Sequence, residues 1–277
     1  MPVKLQGGER MRNVSKRSKP DMPLISVVTV VFNGGGTLED AIRSLLQQTY
    51  GNIEYIVIDG GSTDGSLDVL RNYDAQIDYW ISERDEGIYD AMNKGMALAS
   101  GEIVGFLNSD DFYADALVLE RVARAFQDES VQACYADLVY VSQDNSRVIR
   151  YWKSKQFVKG DFAKGWCPAH PTFYARKSAI DRMGFFDTSF KLAADVEFMM
   201  RYLECGQIHA AYIPHVLVRM RVGGATNQSW ENIIRQNKEI FAAMKKNAIR
   251  YSKMLFVGNK VVSRLWQFIV GRVRRNY

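Results

Sequence analysis

Asp59, Asp85, Asp110, Asp111 and Asp195 are the acids placed where chemistry would need them. Asp110-Asp111 closes a run, Glu102-Ile-Val-Gly-Phe-Leu107, that is apolar at nearly every position. Such a run reads as a strand buried on both faces, and in open parallel sheets ligands bind where these strands end. Adjacent carboxylates repel unless a positive group lies between them, and a divalent cation with oxygen ligands is the simplest such group. A solvated turn before a helix near Asp115 is the other reading. Asp59 closes a second buried run, 53–59, and leads into Gly60-Gly-Ser-Thr-Asp-Gly65, where small residues admit a ligand to the backbone. Ser62 and Asp64 read equally well as caps for the helix carrying Leu67, Val69 and Leu70, but a cap needs no carboxylate as far back as Asp59. In Ala193-Ala-Asp-Val-Glu197, both Asp195 and Glu197 suit a general base, and both suit first-turn acids favoured by a helix dipole.

These groups must be held by strands and the helices that follow them. A first strand, 25–32, ends at Asn33-Gly-Gly-Gly36, and Thr37 and Asp40 are spaced as a capping box for a helix through Leu46. Three parallel-type strands would then present polar groups at one edge of an α/β sheet. The chain changes character near residue 112, with a helix over 114–126, strands over 132–141 and 147–152, and an irregular stretch over 160–171. Within that stretch His170 sits among turn residues beside Trp166, as in a sugar-contacting loop. A structural hydrogen bond for His170 is the alternative.

Taken together, Ser26-Val-Val-Thr-Val-Val-Phe-Asn33, Ile58-Asp-Gly-Gly-Ser-Thr-Asp-Gly65, Ser82-Glu-Arg-Asp-Glu-Gly-Ile-Tyr-Asp-Ala-Met-Asn-Lys-Gly95, Gly101-Glu-Ile-Val-Gly-Phe-Leu-Asn-Ser-Asp-Asp111 and Ala193-Ala-Asp-Val-Glu197 resemble the inverting family-2 glycosyltransferases. Their order and spacing cover roughly residues 24–205, and the likeness is to the bacterial branch that builds O-antigen and exopolysaccharide. The resemblance implies the A-type glycosyltransferase fold: one Rossmann-like nucleotide-sugar-binding domain with a mixed central sheet, extended here by C-terminal amphipathic helices. It implies a nucleotide-sugar donor bound by Phe32, Asp59, Asp85, Asn93 and Asp110, and Mg2+ or Mn2+ held by Asp110 and Asp111. Asp195 would be the catalytic base, with His170 and Glu197 toward the acceptor. Two departures stand out. Many relatives carry two carboxylates where this chain has Asp59-Gly60. The family's Asp-x-Asp appears as Asn108-Ser109-Asp110, which keeps an oxygen ligand but loses one negative charge.

Other classes fit less well. Gly34-Gly-Gly-Thr37 lacks the Arg and Pro-Lys of nucleotidyltransferase loops and the Gly-Lys-Ser/Thr ending of a P-loop. A processive synthase would bring membrane spans, and charges interrupt every candidate stretch. Residues 1–22 hold six Lys/Arg against two acids and residues 245–277 nine against none, so with a total of +5 the chain between them is acidic. A nucleic-acid reader would carry its basic stripe on the folded domain, so no nucleic-acid partner is expected. Cys134, Cys167 and Cys205 are widely spaced, as idle thiols in a reducing cytoplasm would be.

The C-terminal stretch 254–273 gathers Leu255, Val262, Leu265, Trp266, Ile269 and Val273 on one helical face, with Lys253, Lys260 and Arg264 opposite. This predicts an interfacial helix on an anionic membrane, basic residues toward headgroups, or else a helix packed on the core with a solvated basic face. The expected organisation is a flexible basic arm over 1–22, a catalytic domain over 23–227 and a helical region over 228–277. The expected enzyme is an inverting glycosyltransferase of hexosyltransferase type, peripheral on the cytoplasmic face of the plasma membrane, acting on a saccharide or lipid-linked saccharide in surface-polysaccharide synthesis. A catalytically silent scaffold that binds sugar nucleotide or glycan is the alternative.

Overall fold

The computed structural model describes residues 4–223 and 230–273. Its strands are β1 (Leu5–Gly7), β2 (Ile25–Val31), β3 (Ile53–Asp59), β4 (Tyr79–Ser82), β5 (Ile103–Phe106), β6 (Asp111–Tyr113), β7 (Ala133–Val141), β8 (Val148–Trp152), β9 (Tyr174–Arg176) and β10 (Ala210–Arg221). Its helices are α1 (Leu38–Leu46), α2 (Ser66–Asn72), α3 (Ile88–Leu98), α4 (Val118–Ala125), α5 (Lys177–Met183), α6 (Ala194–Met200), α7 (Trp230–Lys246) and α8 (Lys253–Val273). The chain divides into two compact units, residues 1–129 with 174–185, and residues 130–173 with 186–277. The boundary expected at residue 227 lies outside the described residues, and the observed division falls elsewhere.

The first unit is a mixed sheet in the order β1-β4-β3-β2-β5-β9. β4, β3, β2 and β5 are parallel, while β1 pairs antiparallel with β4 and β9 antiparallel with β5. β2 is buried at all seven positions, which is why its sequence is an unbroken apolar run rather than an alternation. Two glycines set close approaches. A methyl at Gly95 of α3 would meet Val28 at 2.2 Å, and one at Gly105 of β5 would meet the Tyr174 ring at 2.2 Å.

Three expectations for this unit are corrected. From Leu5 onward the arm is structured: β1 pairs with β4, Arg10 bonds Glu54, Arg12 pairs with Asp74, and Lys16 meets Asp78 at 2.9 Å. Buried acids supply the reason. Burial pushes the Glu54 carboxyl up, but hydrogen bonds from Ser100, Ser26 and Arg10 outweigh it and the net direction is down. The basic residues that read as a solvated arm are thus counter-charges for the sheet. The capping box at α1 does not form, since Thr37 makes no side-chain cap and its hydroxyl bonds Gly34 O at 3.3 Å. The helix expected from residue 114 begins at Val118, because Asp115 folds back to accept the Leu117 N–H at 2.8 Å.

The second unit is a sheet in the order β8-β7-β10, with β7 buried at all nine positions. β10 runs parallel to β7 and β8 antiparallel. The register of β10 shifts between Ile213 and Val218, around Pro214, which cannot donate to the ladder. α6 continues into a π-helical turn, Arg201–Cys205, and Phe198 stacks on Tyr202 with centroids 4.1 Å apart.

α8 lies on β8 and buries Phe256. Its orientation reverses that of the core-packed alternative. Leu255, Val262, Leu265, Trp266 and Ile269 are 52–67% exposed, whereas Lys260 is largely enclosed and bonds Asn237 at 2.7 Å. Burial, with Arg264 and Arg150 nearby, pulls the Lys260 amine down to about 8 despite the opposing charges of Cys167 and Asp195. The apolar face therefore turns outward, while Lys260 and Arg264 are half-buried and Lys253 is exposed. The Val273 side chain lies outside the described residues. Among the described residues no helix is long and apolar enough to cross a membrane.

Candidate functional site

At the C-terminal edge of β2 and β3, two loops are stitched together by short-range polar contacts. The Asp59 carboxylate is wholly buried and accepts the N–H groups of Gly61 (3.1 Å) and Ser62 (3.0 Å) and the Ser82 hydroxyl (2.5 Å), with Ser62 Oγ on its other oxygen. Ser62 Oγ in turn accepts the Asn33 N–H at 2.8 Å, and Asn33 Oδ1 accepts the Thr63 N–H at 2.9 Å. Asp64 reaches across to the Gly35 N–H at 2.9 Å. Asp59 is thus the knot of the loop, with its oxygens already engaged. Phe32, at the tip of β2, is 67% exposed, an isolated aromatic face beside that knot in sequence.

Asp85 lies against the same loop. A Cβ on Gly60 would meet its Oδ2 at 2.5 Å, so the glycine that departs from the family pattern leaves room for this carboxylate. Burial raises the Asp85 carboxyl, Gly87 and Lys94 oppose, and the charges of Asp90 and Asp59 raise it further. Asn93 is half-buried on α3. Lys94 is held by Glu83 and Asp90, each at 3.3 Å.

After β5, Asn108-Ser-Asp-Asp111 forms a turn in which the Asp111 N–H bonds Asn108 O at 3.1 Å. The Asn108 amide donates to Asp111 Oδ2 at 3.0 Å, while Asn108 Oδ1 is buried and accepts no hydrogen bond. Asp111 is wholly buried and Asp110 only half-buried. The two acids therefore differ in access: Asp111 braces the turn, and Asp110 is the one that solvent or a ligand can reach. Among the described residues no three His, Cys, Asp or Glu side chains cluster to hold a metal. One accessible carboxylate beside an unsatisfied amide oxygen nonetheless fits the way Mg2+ is held, through one or two protein oxygens with the rest from phosphate and water.

In the second unit, Asp195 is half-buried in the first turn of α6. Glu239 of α7 accepts the N–H groups of Leu192 (2.7 Å) and Ala193 (3.0 Å), fixing the turn that presents it. Glu239 was not legible in the sequence, because its partners lie more than forty residues away. Glu197 is wholly buried, bonded by Arg201 at 3.2–3.3 Å and by Asn247 at 3.1 Å. Its expected place toward the acceptor is corrected: two residues on from Asp195 it is wholly buried as half of an ion pair with Arg201. His170 is also enclosed, its ring edge-on to Phe186 with centroids 5.5 Å apart. Burial pushes its imidazole down and the Asp195 charge pulls it up, with a net lowering. His170, Cys167 and Lys260 all feel Asp195, so these groups share one neighbourhood.

The chain is 36% identical over 186 residues to an uncharacterized glycosyltransferase of Mycobacterium tuberculosis H37Rv, covering 65% of this chain and 68% of that one. It is 28% identical over 211 residues to a PGL/p-HBAD biosynthesis glycosyltransferase of the same strain, covering 74% and 80%. Among solved structures it is similar to residues 1–349 of Staphylococcus aureus TarS in complex with UDP-GlcNAc (TM-score 0.62, 17% identity, 91% of this chain and 74% of that one), and it spans 44% of the full TarS chain. It is also similar to the mannosyltransferase PcManGT of Pyrobaculum calidifontis in complex with GDP-Man and Mn2+ (TM-score 0.61, 17% identity, 96% and 78%). A third similar structure is the glucosyl-3-phosphoglycerate synthase of Mycobacterium tuberculosis with Mn2+ and UDP (TM-score 0.58, 17% identity, 83% and 82%). The model of Glycosyl transferase family 2 matches residues 26–190, which takes in the Asp59 loop, Asp85, Asn93 and the Asn108–Asp111 turn, and the chain belongs to that family.

Proposed function

We propose that this protein is an inverting, metal-dependent glycosyltransferase that moves a sugar from a nucleoside-diphosphate donor to a saccharide or lipid-linked saccharide acceptor. The observation that carries the reading is the half-buried Asp110, two residues along the strand-tip turn from Asn108, whose buried Oδ1 has no hydrogen-bond partner among the described residues. The nucleotide binds at the Asp59-knotted loop, with Phe32 against the base and Asp85 and Asn93 lining the pocket. Mg2+ or Mn2+ at Asp110, with Asp111 bracing the turn behind it, would neutralise charge on the departing diphosphate. Asp195 takes the proton of the acceptor hydroxyl as its oxygen bonds C1, while the C1–O bond to the diphosphate breaks and the leaving group keeps the electron pair. Similar structures hold UDP-GlcNAc in one case and GDP-Man with Mn2+ in another, which supports a nucleotide-sugar donor here.

The outward apolar face of α8 supports a place on the inner surface of the plasma membrane and a role in surface-polysaccharide assembly. Because Lys260 and Arg264 turn inward, burial of Leu265 and Trp266 rather than charge carries that attachment. Incubation with a panel of UDP- and GDP-sugars, a membrane extract and Mn2+ should release nucleotide, and EDTA should stop it. Nucleotide binding without release under every pairing would leave the scaffold reading instead. Leu265→Glu with Trp266→Glu should detach the protein from phospholipid vesicles while the fold persists.

A further inference from the structure

A cavity of about 250 Å³ lies within the second unit, where α8 covers β8 and the end of β10. Arg150 of β8, Arg221 of β10 and Arg264 of α8 line it, and among the described residues no acid does. Arg150 is only 8% exposed, and its Nε has no hydrogen-bond partner. Its guanidinium lies over the Tyr140 ring at 4.3 Å and the Trp152 ring at 5.2 Å, which fixes its plane. Arg221 is equally enclosed, with its Nε on Gln143 O at 3.2 Å. Burial and the neighbouring Arg264 both lower the Arg150 guanidinium from its ordinary value, although Tyr140 opposes them. Gathering like charges in a poorly solvated wall is costly unless an anion completes it. The rest of the lining is apolar, with Ile149, Met220 and Phe268 beside the arginines. Phe268 is 44% exposed and continues the outward face of α8.

We infer that this cavity holds the phosphate or diphosphate headgroup of an amphiphile, with the arginines on its oxygens and the start of its chain against Ile149, Met220 and Phe268. Arginine suits this because its planar fork pairs with phosphate oxygens in parallel. The volume is below the roughly 300–1,000 Å³ usual for small-molecule sites, so it takes a headgroup rather than a whole sugar nucleotide. Lys260 feels the charges of Arg264, Asp195 and Arg150 alike, which puts the arginines of the cavity in the neighbourhood of the proposed base. The inference rests on the lipid-linked-acceptor reading for its meaning in the reaction.

Binding is read directly, without sugar transfer. Decyl phosphate below its micelle concentration should bind by calorimetry, and Arg264→Gln should weaken it about tenfold or more, the size of a lost charge-assisted bond. Decyl maltoside and inorganic phosphate should each bind far more weakly, and UDP with Mn2+ should bind Arg264→Gln and the parent protein alike. Arg264 is half-exposed, so its replacement should fold; Arg150→Gln, checked by circular dichroism, is the second variant, and Arg264→Lys should restore part of the affinity. Decyl phosphate binding that ignores both variants would overturn the site. Equal binding of decyl maltoside would reduce it to an apolar groove, equal binding of inorganic phosphate would remove the chain, and a parallel loss of UDP would assign the arginines to the donor; each overturns the proposal. If the site passes but no lipid-linked acceptor receives sugar, the cavity stands and only the acceptor reading fails.

Discussion

The two units solve the placement of charge in opposite ways. In the first, two buried acids are answered by donors close at hand: Asp59 by Gly61, Ser62 and Ser82, and Glu54 by Arg10, Ser26 and Ser100. In the second, Arg150 is buried and Lys260 half-buried, each near other cations, and both are pulled down from their ordinary values although Asp195 opposes at Lys260. A self-satisfied network makes a rigid cradle that needs no ligand to hold its shape. A cavity whose described lining carries three arginines and no acid is a surface shaped for something else. Under the proposed function, the first unit would serve the donor and the second the acceptor.

The sharpest way to test that division is to remove one carboxylate from each half. Asp195→Asn should cut turnover about 10²–10⁴-fold, the usual cost of losing a positioned proton acceptor, and leave nucleotide binding intact. Calorimetric loss of UDP binding in this variant would erase the division. Asp110→Asn should cost about 10²–10³-fold and abolish the Mn2+ dependence of nucleotide binding, while urea unfolding stays near normal. Normal turnover in that variant would take the cation out of the mechanism.

A smaller effect tests the long-range frame of the second unit. Glu239→Ala leaves the Leu192 and Ala193 amides without their carboxylate, so it should cost about 1.5–3 kcal/mol in urea denaturation. Turnover should fall about tenfold to a hundredfold through displacement of Asp195, with UDP binding unchanged. The smallest effect is a pH dependence. His170 is buried neutral, and its folded value lies below the unfolded value of 6.5. The unfolded chain therefore takes up the proton first: this stability is full above about pH 6.5 and is lost as pH falls toward the folded value. The urea midpoint should drop more between pH 7.5 and 5.5 in the parent than in His170→Asn. Equal drops would mean that solvent reaches the imidazole.

The same contrast explains what could be read in advance. β2, β3 and β5 and the acids at their tips were legible, because an all-apolar run ending in Asp is a local pattern. Asp111 and Asp110 looked alike in sequence, and only the Asn108 amide, folding back, separates the brace from the accessible acid. In the second unit little is local. Glu197, two residues on from Asp195, reads as pointing elsewhere at a helix start, but nothing local names Arg201 and Asn247 as its partners, and the basic residues of α8 gave no sign that Lys260 would be half-buried. The N-terminal basic residues looked solvated for the same reason, since Glu54, Asp74 and Asp78 lie far along the chain.

β9 has a consequence for how the chain is made. Its residues 174–176 seal the edge of β5, and Tyr174 roofs Gly105, yet they are synthesised about seventy residues after β5. At roughly 5–20 residues per second, the β5 edge stays open for several seconds or more after it is made. During that interval Ile103 and Val104 offer an unpaired ladder to any neighbouring chain. A fragment ending at residue 129 would stay in that condition permanently, so it should aggregate, whereas the same fragment supplied with 174–185 as a separate peptide should be rescued.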